Sequence, residues 1–63
     1  PFHQNTVAAV LPLLAAKMAP GGVVLCETER EADLPEQAGA LTLVKQYNYG
    51  KIKVSRYERG EEA

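Results

Sequence analysis

The sequence predicts an α/β fold: a helix, a buried strand and an antiparallel hairpin, in that order. Three observations predict it. Val7, Val10, Leu11, Leu14 and Met18 recur at helical spacing. An unbroken apolar run, Val23 to Cys26, follows the turn Pro20-Gly21-Gly22. Two alternating runs then flank Asn48-Tyr49-Gly50.

The helix is expected to start at Asn5 or Thr6, whose side-chain oxygen can accept a hydrogen bond from a free backbone N–H. Its many alanines favour helix. Pro12 interrupts the pattern. A proline removes one helical hydrogen bond and crowds the preceding turn, so a kink or a restart is expected there. Pro20-Gly21-Gly22 ends the helix at Ala19. Val23 to Cys26 is short, apolar throughout and begins with two β-branched residues. It reads as a strand buried on both faces, as in a parallel sheet. Helix, glycine turn and buried strand make half of a βαβ unit, so a further parallel strand is expected ahead of residue 1. That the chain begins with Pro1 points the same way.

Glu27 to Ala40 is polar and contains Pro35 and Gly39, which predicts a loop with a short helical turn around Glu36. Leu41 to Tyr47 predicts a strand with Leu41 and Leu43 on one face and Thr42 and Val44 on the other. Asn48-Tyr49-Gly50 supplies turn chemistry, because Asn and Gly tolerate positive φ. Lys51 to Tyr57 alternates again, with Ile52 and Val54 set against Lys51, Lys53 and Ser55. Arg59 to Ala63 is charged and small and is expected to fray.

A chain of 63 residues is marginal on its own, since such a size buries only about 60% of its unfolded surface. The one cysteine, Cys26, excludes an internal disulfide. A lone thiol in an apolar run points to a reducing, cytoplasmic setting and to an inert core residue. His3 and Cys26 have no partners at zinc-ligand spacing. The longest apolar stretch, Val7 to Ala16, is too short to span a membrane and contains Pro12. Net charge is −1, but its distribution is uneven. Glu27, Glu29, Glu31, Asp33 and Glu36 face only Arg30, whereas Lys45, Lys51, Lys53, Arg56 and Arg59 face only Glu58. The basic part either lines solvated strands or meets nucleic acid.

The ending resembles class I S-adenosylmethionine-dependent methyltransferases, whose last strand inserts antiparallel beside the fifth. Pro1-Phe2 resembles the end of the Asp/Asn-Pro-Pro-Phe/Tyr motif of amino-group methyltransferases. Val24-Leu25-Cys26-Glu27-Thr28 is similar to the fifth strand of RsmD-type ribosomal RNA guanine-N2 methyltransferases. Leu34-Pro35, Tyr49-Gly50 and Tyr57 also follow that family's order and spacing, from Pro1 to about Arg59. Pro12 does not follow it. The motif's Asp or Asn, the glycine-rich loop and the acidic ribose-binding residue are not in these 63 residues.

The resemblance implies a Rossmann-like sheet of which residues 1–63 are the C-terminal portion. It implies methylation of an exocyclic amine of guanine, with S-adenosylmethionine bound by an upstream part. It further implies ribosomal RNA or the small ribosomal subunit as partner, and no activity for the portion alone. Phe2 would stack on the target base and Pro1 would stiffen its loop; the plain alternative for Phe2 is an apolar anchor under the helix. Lys51 and Lys53, with Lys45 and Arg56, can meet phosphates, and Tyr47 and Tyr49 can stack on bases. Strict alternation would divide these side chains between two faces. Glu27 ends the strand near the expected active-site rim and is either a hydrogen-bond acceptor there or a solvated carboxylate. His3 lies beside the motif and reads as RNA contact or incidental surface. Two other readings stay open: an amino-group methyltransferase acting on DNA, another RNA or protein, and a non-catalytic α/β interaction module. An unpaired sheet edge would also allow self-association.

Overall fold

The computed structural model describes residues 3–60, so Pro1 and Phe2 lie outside the described residues. Helix α1 spans Gln4–Lys17. Strand β1 is Val23–Glu29, β2 is the two-residue Gln37–Ala38, β3 is Leu41–Tyr49 and β4 is Ile52–Arg59. The four described strands form one antiparallel sheet in the order β1-β4-β3-β2, with α1 packed on one face. The last strand thus inserts antiparallel beside β1, as the resemblance implied.

The helix begins two residues earlier than its sequence suggests. His3 takes the N-cap position in extended conformation, its carbonyl accepts from Val7 N–H at 3.1 Å, and no side chain caps the end. Asn5 and Thr6 are therefore inside the first turn. The helix ends at Lys17, short of Ala19, because Met18 is already extended. No restart occurs at Pro12. Pro12 and Ala8 are both exposed, so water can satisfy the Ala8 carbonyl that loses its helical donor. The buried stripe is Val7, Leu11 and Ala15, with Met18 packed against it. Val10 and Leu14, expected on the apolar face, remain exposed.

β1 corrects the expectation of a strand buried on both faces. Only Cys26 and Thr28 are buried, while Leu25 is 65% exposed. The strand is at the sheet edge, pairs only with β4 and does so antiparallel, so α1 covers one face and nothing described covers the other. It also runs on to Glu29, which moves Glu27 to Glu29 from the expected loop into the sheet. The expected helical turn around Glu36 is instead the approach to β2.

Both hairpin turns use Gly-X. Gly39-Ala40 joins β2 to β3, and Gly50-Lys51 joins β3 to β4. In each, glycine has positive φ (64° and 60°) and the second residue does not, which is the II′ pattern that suits strand twist. Asn48 and Tyr49 accordingly belong to β3 and not to the turn. β3 also carries a bulge between Leu43 and Lys45, which leaves Val44 without a cross-strand partner.

The core joins Val7, Leu11 and Ala15 to Cys26, Leu34, Ala38, Leu41 and Tyr57. Arg59 closes the far end: its Nε donates to Ala15 O at 2.7 Å, satisfying a carbonyl of the last helical turn. Backbone bonds between Arg59 and the Gly21-Gly22 turn, 2.9 and 3.0 Å, tie the helix exit to β4.

Candidate functional site

Several elements end at the same pole of the molecule: the start of α1, the end of β1, the end of β3 and the start of β4. The chain between β1 and β2 crosses this pole as a strap. Although acidic, it is fastened at several points. Arg30 N–H donates to Lys51 O at 2.8 Å, and Arg30 Nη1 to Gly50 O at 3.3 Å. Lys53 Nζ donates to Ala32 O at 2.5 Å, and Asp33 N–H to Gln4 Oε1 at 2.9 Å. Tyr57 Oη donates to Pro35 O at 2.6 Å. Leu34 beneath the strap is buried. Each bond satisfies a backbone group that a loop laid over a core would otherwise leave unpaired.

A cavity of about 190 Å³ opens at this pole, lined by His3, Gln4, Asn5, Glu29, Glu31 and Ala32. It offers an imidazole, two amides and the Glu31 carboxylate, a set of hydrogen-bond partners able to orient a polar group. A second groove of about 200 Å³ runs between α1 and the open edge of β1, past Val7, Val10, Leu14 and Leu25. Its lining is apolar and carries no chemistry.

The residues singled out from sequence separate in space. Pro1 and Phe2 lie outside the described residues. His3 is exposed at the rim and Glu27 is exposed on β1. Lys51 is exposed at the hairpin turn, whereas Lys53 points to the helix side and holds the strap. Lys45, Tyr47, Tyr49 and Arg56 share the opposite face. The pairings Lys45↔Arg56, Tyr47↔Val54 and Tyr49↔Ile52 place them there, because Ser55 and Tyr57 point into the core. The bulge at Val44 causes this: without it Lys45 would follow Leu43 onto the helix side. The division between two faces expected from alternation therefore holds, with Lys53 on the helix side, and the bulge decides that Lys45, Tyr47 and Tyr49 join Arg56 on the other.

Sequence reasoning passed over Gln4, Arg30 and Arg59, which hold the strap and the helix end. The signal for Arg30 was its position as the sole cation of the acidic stretch. Burial pushes the Cys26 thiol above its ordinary value of 9.0. Burial first, and the charge of an ionised Cys26 second, push Tyr57 above 10.0. Both are neutral core groups at pH 7, as expected for Cys26.

The described residues do not fit the cofactor implied by the resemblance. Such a cofactor sits on a glycine-rich turn that enters a helix N-terminus. Here α1 is entered through His3 and Gln4, and Gly21-Gly22 lies at its C-terminal end. No described group of His, Cys, Asp or Glu could hold a metal ion, and no described helix is long and apolar enough to cross a membrane.

Comparison with curated proteins and with solved structures returns no match. A family model does match, described as conserved hypothetical protein 95, over residues 1–58. The match takes in the Pro1-Phe2 start, β1 with its strap, the bulged strand and nearly all of β4. The chain therefore belongs to the conserved hypothetical protein 95 family, a family of RsmD-like methyltransferases.

Proposed function

We propose that the protein methylates the exocyclic amine of guanine in small-subunit ribosomal RNA, with S-adenosylmethionine as methyl donor. The observation that carries this reading is the family match across residues 1–58. The strand order β1-β4-β3 supports it, since the last strand lies antiparallel beside β1 as in the sheet the sequence resembles. In this reading residues 1–63 form the end of the methyltransferase sheet, and the cofactor is held by residues outside them. Pro1 and Phe2 shape the pocket for the target base, with Phe2 stacking on it. Lys51 meets RNA phosphate from the hairpin turn. Lys53 acts through the strap that it holds over the same pole.

The test uses the protein encoded by the complete reading frame, with label in the methyl group of the donor and small ribosomal subunits lacking the modification. After digestion to nucleosides, label is expected in N2-methylguanosine. Label in another nucleoside, in DNA or in protein, or none at all, overturns the assignment. Residues 1–63 alone are expected to transfer no methyl group.

A further inference from the structure

The face of the sheet opposite α1 is neither uniformly apolar nor uniformly charged. Lys45, Tyr47 and Tyr49 follow one another along β3 beyond the bulge, with Arg56 beside Lys45 on β4. The two tyrosine rings lie nearly parallel, at 18° with centroids 6.5 Å apart. Lys45 Nζ lies 5.3 Å from the Tyr47 ring centroid, close enough for a cation–π contact. Tyr49 is 64% exposed and sits at the pole where the candidate site opens. β2 pairs β3 only at Leu41 and Thr42, so on the side away from β4 no described strand flanks β3 from Lys45 to Tyr49. Arg56 Nε is buried without a hydrogen-bond partner, and its Nη2 pairs with Glu58 at 3.0 Å.

We infer that this bulge-built face of Lys45, Tyr47, Tyr49 and Arg56 binds a single-stranded segment of the RNA substrate, with successive bases stacked on the two tyrosines. The inference rests on the proposed function for its occupant and adds the surface that receives it. Rings at alternate positions of one strand face suit a single strand, whose unstacked bases offer their faces, and do not suit a duplex. Lys45 supplies positive charge at one end of the tyrosine run, where Glu58 neutralises Arg56, and Lys51 and Arg30 supply it at the other. Glu27 and Glu29 share this face but lie on β1, behind Val54 and Ile52 in register. Two strand spacings, about 10 Å, separate them from the tyrosines, so the carboxylates bound the track on one side. The bulge is what makes the surface, and bulges recur where a strand must re-aim side chains near a site.

The experiment measures binding of the intact protein to a short labelled single-stranded RNA by fluorescence anisotropy. Tyr49→Ala is expected to weaken binding about tenfold, the loss of one stacked base, while Tyr49→Phe keeps wild-type affinity. Lys45→Glu should lower both affinity and the salt dependence of binding, whereas Lys17→Glu, on the helix face, should change neither appreciably. Equal affinity of Tyr49→Ala and wild type, equal binding of a duplex of the same sequence, or no binding by the folded protein overturns the inference. If guanine is methylated but Tyr49→Ala binds and turns over RNA as wild type does, this surface fails and the proposed function stands. If RNA binds through Tyr49 but no guanine is methylated, the proposed function fails and the surface stands.

Discussion

Tyr57 carries three constraints in one side chain: it is fully buried, it packs against α1, and its hydroxyl holds Pro35. Tyr57→Phe keeps the ring and removes the bond to the strap. A loss of about 1–2 kcal/mol is expected, read as a lower urea midpoint with unchanged slope. Cys26 gives a pH signature. The unfolded thiol ionises near 9.0, and the folded one only above it, because burial disfavours the thiolate. Stability should be level below that pH and should fall as pH rises from 9.0 through the raised folded value, since the unfolded state releases its proton first. Tyr57 adds to the fall above 10.0. Thermal melts of Cys26→Ala should show a shallower decline between pH 9.0 and 10.0 than wild type; an identical slope would refute a buried, late-ionising thiol. The inertness of Cys26 was legible from its apolar neighbours. The partners of Lys53, Tyr57 and Arg59 were not, because each lies more than 20 residues away along the chain.

At the scale of elements, the helix, the first strand and the hairpin were all legible, since period and turn residues are local. The errors fall at their ends, at two irregularities, in the burial of β1 and at β2, where a helical turn was expected. Pro12 leaves α1 whole because Ala8, whose carbonyl loses its helical donor, is exposed to water. The bulge at Val44 left no mark in the alternation that a reader could separate from an ordinary strand. The turns permit a direct comparison. Gly39 and Gly50 have nearly the same positive φ, but a Cβ on Gly39 would come within 3.3 Å of Pro12 Cα, whereas one on Gly50 would meet nothing within 4 Å. Gly50→Ala should cost about 1 kcal/mol from backbone conformation alone. Gly39→Ala should cost more, because the turn must also move off the helix. Denaturant titration of the two variants checks the order, and equal costs would mean that the turn shifts freely.

At the scale of the whole molecule, α1 covers one face of the sheet and the open edge of β1 adjoins an apolar groove. Val23 and Leu25 are exposed on that strand. An exposed apolar edge strand pairs with whatever reaches it. Residues 1–63 alone should therefore associate as concentration rises, and Leu25→Lys should return them toward monomer, as read by sedimentation velocity. A monomer mass at all concentrations, with a cooperative melt, would instead mean that the edge is protected.

The sequence by itself determined the helix, the first strand and the hairpin, their order, the inert cysteine and, through motif spacing, the methyltransferase family. These follow from short-range periodicity, turn chemistry and landmark order, all of which are written along the chain. Only the tertiary structure decided that the acidic stretch is a fastened strap, that Lys53 and Lys45 work on opposite faces, and that Lys45, Tyr47, Tyr49 and Arg56 share one surface. Those outcomes depend on cross-strand register and on which backbone carbonyls come to lie near distant donors. A single unpaired residue in β3 reverses the facing of every side chain after it, and no local pattern records that reversal.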